Sequence, residues 1–119
     1  MARMKNAVGA YGERVAVDHL TRSGMTVIDR NWRCSAGEID AILRDGETIV
    51  FAEVKTRRGD AFGTPAEAIG RAKQARLRRL AAIWLAQSQQ RSPEIRFDVI
   101  SVRPNPAGAA AVEHVRAAF

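Results

Sequence analysis

Two short segments carry the residue types that hydrolytic chemistry needs. Glu38 and Asp40 stand two apart in Gly37-Glu38-Ile39-Asp40, and Glu53 and Lys55 stand two apart in Glu53-Val54-Lys55. Side chains alternate across a β-strand, so each pair shares one face if the segments are strands. Asp45-Gly46 between them is a hairpin signal. With these two residues as the turn, Arg44 pairs with Glu47, Asp40 faces Phe51 and Glu38 faces Glu53. One face of the hairpin then holds Ile39, Ala41, Leu43, Val50, Ala52 and Val54, and belongs in a core. The other face is apolar near the turn, with Ile42, Ile49 and Phe51, and carries Glu38, Asp40, Glu53 and Lys55 further away. Like charges facing each other destabilise a sheet. A divalent cation removes that objection, because carboxylate oxygens suit Mg²⁺ or Mn²⁺. Glu53 and Lys55 alone fit an ordinary same-face ion pair. The presence of Asp40 on the neighbouring strand makes the set a candidate site.

These residues need elements to hold them. Residues 7–23 read as a helix, with Val8, Tyr11, Gly12, Val15, Ala16, His19 and Leu20 on one stripe, Asn6 as N-cap and Gly24 as the stop. Gly9 and Gly12 weaken a helix, which points to close packing of its backbone against another element. Strands follow at residues 26–33, 38–43 and 48–56. Thr64-Pro65-Ala66-Glu67 forms a capping box, so a second helix is expected from there to about Gln90. Residues 95–102 form a fourth strand, residues 104–111 a loop, and residues 112–115 a short last strand. The order αβββαβ(β) implies an α/β fold with a mixed central sheet flanked by helices. At 119 residues, with no internal repeat, the chain is read as one domain over 1–119.

Composition narrows the function. Nineteen Lys and Arg against thirteen Asp and Glu give a net charge of +6. No acid lies between Glu67 and Glu94, a stretch that holds Arg71, Lys73, Arg76, Arg78, Arg79 and Arg91. Such one-signed charge favours a polyanionic partner, most often nucleic acid. The longest apolar run, residues 80–86, is far too short to span a membrane, and no secretory signal is recognisable at the start. The single Cys34 reads as a reduced thiol, consistent with a cytoplasmic protein. His19 and His114 lack the spacing of a metal site; His19 reads as a packed histidine and His114 as a surface or strand residue.

Asp40, twelve intervening residues and Glu53-Val54-Lys55 together resemble the D…ExK signature of restriction-endonuclease-like nucleases. The chain more specifically resembles the YraN-like family of small bacterial proteins, predicted endonucleases similar to archaeal Holliday-junction resolvases. The matching segments are Gly12-Glu13, Arg30-Asn31-Trp32-Arg33, residues 37–42, residues 51–57, Phe62-Gly63-Thr64-Pro65, Glu67-Ala68, Lys73 and Arg96-Phe97-Asp98-Val99-Ile100. The resemblance implies a restriction-endonuclease-like core and Mg²⁺- or Mn²⁺-dependent hydrolysis of phosphodiester bonds in branched or structured DNA. It implies Asp40, Glu53 and, from the first helix, Glu13 as metal ligands. Lys55 would position the attacking water or stabilise charge on the phosphorus. The two-fold symmetry of a four-way junction suggests a homodimer by analogy.

Lys73 falls in the middle of the second helix's buried stripe of Ile69, Leu77, Leu80 and Trp84. It either snorkels to the rim or points at the carboxylates or the scissile phosphate, and the second is favoured. Arg71, Arg78 and Arg79 are expected to point outward. Arg33, Arg57 and Arg58 lie nearer the proposed site and, with Lys73, are the candidate backbone-phosphate contacts. Glu38 is either an auxiliary group of the site or the partner of an arginine. Two alternatives to a nuclease stand: a non-catalytic nucleic-acid-binding protein that retains the fold, and an acid–base enzyme for a small anion. The second lacks a glycine-rich phosphate loop.

Overall fold

In a computed structural model the structure describes residues 6–57 and 69–119. Arg58, the capping box at 64–67 and the motif residues at 62–68 lie outside the described residues. Helix α1 spans Ala7–Arg22, strands β1, β2 and β3 span Thr26–Cys34, Gly37–Asp45 and Thr48–Thr56, helix α2 spans Arg71–Gln87, and strands β4 and β5 span Glu94–Asn105 and Gly108–Val115. The five strands form one sheet in chain order. β3 and β4 pair in parallel across the α2 crossover, and every other pair is antiparallel. The expected mixed α/β sheet flanked by two helices is therefore the observed architecture.

The helices cover opposite faces. Ala16, Val17 and Leu20 of α1 pack on Ala41, Leu43, Val50, Ala52, Ile100 and Val102. Leu77, Leu80, Ala81 and Trp84 of α2 pack with Ile69 on Ile42, Ile49, Phe51, Phe97 and Val99. Strand alternation supplies both sets. An aromatic column continues the α2 layer: Trp84 meets Phe51 edge-on at 5.8 Å, Phe51 stacks on Phe97 at 5.6 Å, and Phe97 stacks on Phe119 at 5.1 Å. Arg78 is exposed, as expected, and its guanidinium lies 5.0 Å from the centre of the Phe97 ring, a cation–π contact at the edge of the column. Among the described residues no helix is long and apolar enough to cross a membrane.

Both ends of α1 follow the sequence signals. The Asn6 side chain accepts the Gly9 amide at 2.7 Å, and Gly24 beyond Ser23 has φ +104. A Cβ on Gly12 would stand 1.8 Å from Thr56 Oγ1, so only glycine lets α1 approach β3 this closely. Helix α2 departs from expectation. It begins at Arg71, with Gly70 as its N-cap, and ends at Gln87, where Ser88 turns to an extended conformation. The stretch read as a loop at 104–111 is mostly strand. β4 runs to Asn105 and β5 starts at Gly108, because the Asn105 side chain accepts the Ala107 amide and closes a tight hairpin.

The β2–β3 register differs from the expected one by two residues. Asp45 pairs with Thr48, Arg44 with Ile49, Ile42 with Phe51 and Ala41 with Ala52. Gly46 and Glu47 form the turn, with Gly46 at φ +61 in the first central position, where a type II′ turn requires glycine. A shift of two preserves the faces. One residue changes side nonetheless: Ile39 packs in the α2 layer with Ile42. Alternation breaks beside it, where Asn31 adopts the left-handed φ of +52 between the pairs Arg30–Ala41 and Trp32–Ile39.

Candidate functional site

The pairing of β2 with β3 extends from the turn to Ala41–Ala52. One residue further, the Val54 amide donates to Asp40 Oδ2 at 2.8 Å. The carboxylate thus ties the two strands together where they begin to part. Continuing the register brings Asp40, not Glu38, beside Glu53. The two carboxyl groups share a hydrogen bond, and both residues are buried. The expected Glu38–Glu53 opposition fails because the turn lies one residue later than Asp45-Gly46.

Glu38 is turned to Arg33, whose Nε lies 3.1 Å from its Oε2. This contact matches the arginine partner, one of the two sequence alternatives for Glu38, and its place in the same lining as Asp40 and Glu53 keeps it beside the site as well. Lys73 reaches the carboxylates: its Nζ contacts Glu53 Oε2. The lysine stem follows the buried stripe of α2, and the ammonium emerges where Glu53 ends.

Burial pushes the Glu53 carboxyl up to about 7, and the neighbouring Asp40 charge adds to the rise. The hydrogen bond and charge of Lys73 pull the other way without cancelling it. Two carboxylates this close resist simultaneous ionisation unless further positive charge arrives.

Glu13 is also buried, on the inner side of α1 next to Gly12. It lines a cleft of about 320 Å³ together with Asn6, Asp40, Glu53, Lys55 and Lys73. A wider groove of about 740 Å³ adjoins it between the β1–β2 turn and α2, with Arg33, Cys34, Arg76 and Leu80 along its walls. Glu38, Asp40, Glu53 and Lys73 line both. The structure therefore brings Glu13, Glu38, Asp40, Glu53, Lys55 and Lys73 to one cleft, with Arg33 on the wall of the adjoining groove. Arg57 lies past the end of the cleft, where its amide continues the sheet by donating to Val102 O at 2.9 Å.

The donor set suits a hard divalent cation. Among the described residues no three His, Cys, Asp or Glu side chains stand close enough to form a complete metal cage. Mg²⁺, however, is commonly held by one or two carboxylates with water and substrate phosphate completing its shell. Asp40 and Glu53 provide such a pair, and the raised Glu53 marks a place where added positive charge is favourable.

Sequence reading missed a second buried polar cluster, towards the other end of β2. Asp98 is fully buried and accepts from Arg96 Nε at 2.8 Å and the Ala117 amide at 3.1 Å, and it pairs with His114 Nε2 at 2.7 Å. Arg96 Nη2 also reaches Asp45 Oδ2 at 3.0 Å. Burial alone would raise the Asp98 carboxyl, but the His114, Arg96 and Ala117 hydrogen bonds outweigh it and hold the group below its ordinary value. His114 is a strand residue, as one half of its reading expected, and its side chain is turned inward to Asp98 rather than to the surface. The alternation of Arg96, Asp98 and Ile100 along β4 was the available signal.

A model of the uncharacterised protein family UPF0102 matches residues 12–102. A UPF0102 protein of Beutenbergia cavernae is 58% identical over 114 residues, covering 96% of this chain and 97% of the relative. Similar proteins of Frankia alni and Nocardia farcinica are 52% identical over 117 residues and 50% identical over 115 residues, covering 98% and 97% of this chain and 98% and 91% of the relatives.

Proposed function

The chain belongs to the UPF0102 family, and from that premise and the cleft geometry we propose that it is a metal-dependent endonuclease. Its core would be restriction-endonuclease-like, and its substrate branched or structured DNA. The observation that carries this reading is the contact of two buried carboxylates, Asp40 and Glu53, in a cleft that also holds Glu13, Lys55 and Lys73.

Asp40 and Glu53 would hold Mg²⁺ or Mn²⁺. Glu13, a direct ligand by the resemblance, lines the same cleft, but among the described residues no three such groups stand together, so it would act through a water of the ion. The bound ion supplies a nucleophile at neutral pH and offsets charge on the phosphate. Asp40 keeps its orientation through the Val54 amide, which donates to its Oδ2. Lys55 orients the attacking water or stabilises charge on the phosphorus. Arg33 and Lys73, with Arg57 and Arg58, contact the backbone phosphates, which fixes the position of the strand without reading sequence. A homodimer would match the symmetry of a four-way junction.

The test is incubation with labelled four-way, flap and linear DNA in Mg²⁺ or Mn²⁺. Cleavage that requires metal and is lost in Glu53→Gln and Asp40→Asn is expected. Cleavage that survives both substitutions would refute the site. The Lys73–Glu53 pairing gives a second reading some support, since it supplies Glu53 with positive charge without a metal: a non-catalytic nucleic-acid binder on the same fold. DNA binding without cleavage of any substrate would select that reading.

A further inference from the structure

We propose that Lys73 is a tethered cation that occupies the Asp40–Glu53 pair until a divalent ion takes its place, after which its ammonium turns to the substrate phosphate. This rests on the metal-dependent reading above. The pairing is unequal. The Glu53 side chain is 7% exposed and fixed in the sheet, whereas the Lys73 side chain is 38% exposed and hangs from the first turn of α2. The lysine stem has four rotatable bonds and opens on both the cleft and the groove.

Lys73 Nζ sits on Glu53 Oε2, an oxygen that a divalent ion would need. An ammonium and a doubly charged ion cannot share that oxygen without strong repulsion. Once displaced, the lysine has cationic neighbours, Arg33 and Arg76, along the adjoining groove. The anion that belongs in that place is the phosphate of a bound strand. Metal entry and phosphate capture are thereby coupled through one side chain. Lys73 acts here as a phosphate-binding residue, and entry of the ion at Glu53 sets when it is released.

Mn²⁺ titration without DNA, followed by electron paramagnetic resonance, compares the wild-type protein with Lys73→Met and Lys73→Gln. Removal of one competing, partly exposed charge should tighten Mn²⁺ binding about fivefold in both variants. In the unsubstituted protein, saturating Mn²⁺ should raise acetylation of Lys73 by acetic anhydride several-fold, read by mass spectrometry. This second measurement does not depend on either variant folding. If the protein binds Mn²⁺ but Lys73 acetylation does not rise, or both variants bind the ion no more tightly, the tethered-cation proposal is overturned and the nuclease reading stands. If neither the wild type nor the variants bind Mn²⁺, both are overturned.

Discussion

Glu53→Gln should make the metal-free protein more stable at neutral and alkaline pH, although it removes a charged partner of Lys73. An unfolded chain ionises Glu53 near 4.5, whereas the folded chain retains the proton up to about 7. Below the lower value both states are protonated and the residue costs nothing. Between the two values the unfolded state gains ionisation that the folded state forgoes, so folding stability falls as pH rises. Above 7 the full cost is present. At about 1.4 kcal/mol for each tenfold change in proton affinity, the cost reaches about 3 kcal/mol. Glutamine has no proton to lose, so the variant's advantage over wild type should grow by that amount from pH 4.5 to pH 8. For a chain of this size that corresponds to a change on the order of 10 °C in the difference between melting temperatures. Paired urea and thermal unfolding in a chelator at several pH values reads the difference directly, and pH effects of unaffected groups cancel. A difference that stays flat, or shrinks as pH rises, refutes the claim that burial and Asp40 hold the Glu53 proton.

Other expectations follow from packing. Gly12→Ala should destabilise by about 1–3 kcal/mol in urea unfolding, because its Cβ meets Thr56 Oγ1 at 1.8 Å; adding Thr56→Ala should rescue only in part, since Thr56 Cβ is itself 2.9 Å away. His114→Ala removes a partner from the fully buried Asp98 and should cost about 3 kcal/mol at pH 7. Because Asp98 is held below its ordinary value, the stability it contributes is present above the unfolded carboxylate range and lost as pH falls through its folded value. Asp98→Asn should therefore flatten the acid limb of the stability profile, measured by thermal unfolding from pH 2 to pH 6. Phe119→Ala removes one end of the aromatic column and a second ring under Arg78, and should lower stability by about 1–2 kcal/mol without altering any property of the cleft.

The hairpin faces were legible because strand parity survives a register error of two, and Asp40 and Glu53 stayed on the same side. The register itself was not, because Asp-Gly permits either residue to open the turn and a positive φ at glycine suits both; Asp45, without a positive φ, stays in the strand and pairs with Thr48. Gly12 announced the tight α1–β3 packing, since a glycine there has no helical advantage. Lys73 was legible as an anomaly in an apolar stripe, and its partner proved to be one of the carboxylates. Ile39 was misplaced because the left-handed Asn31, which breaks the alternation, leaves no trace in a periodic pattern. The Asp98 cluster was missed because its members come from β2, β4, β5 and the turn after β5, and no local spacing links them.

That cluster also bears on how the molecule comes apart. Strands β1, β2 and β3 can zip up by neighbouring hairpins, as can β4 and β5, and the two halves meet along a single parallel seam. Arg96 spans that seam, since it grips Asp98 on its own strand and Asp45 on the far side of β3. It is a strap that adds a side-chain tie to the β3–β4 ladder and to the α1 core shared by both halves. Cutting it with Arg96→Met should let the β4–β5 amides exchange with deuterium ahead of those in the meander, while in the intact protein both sets exchange together.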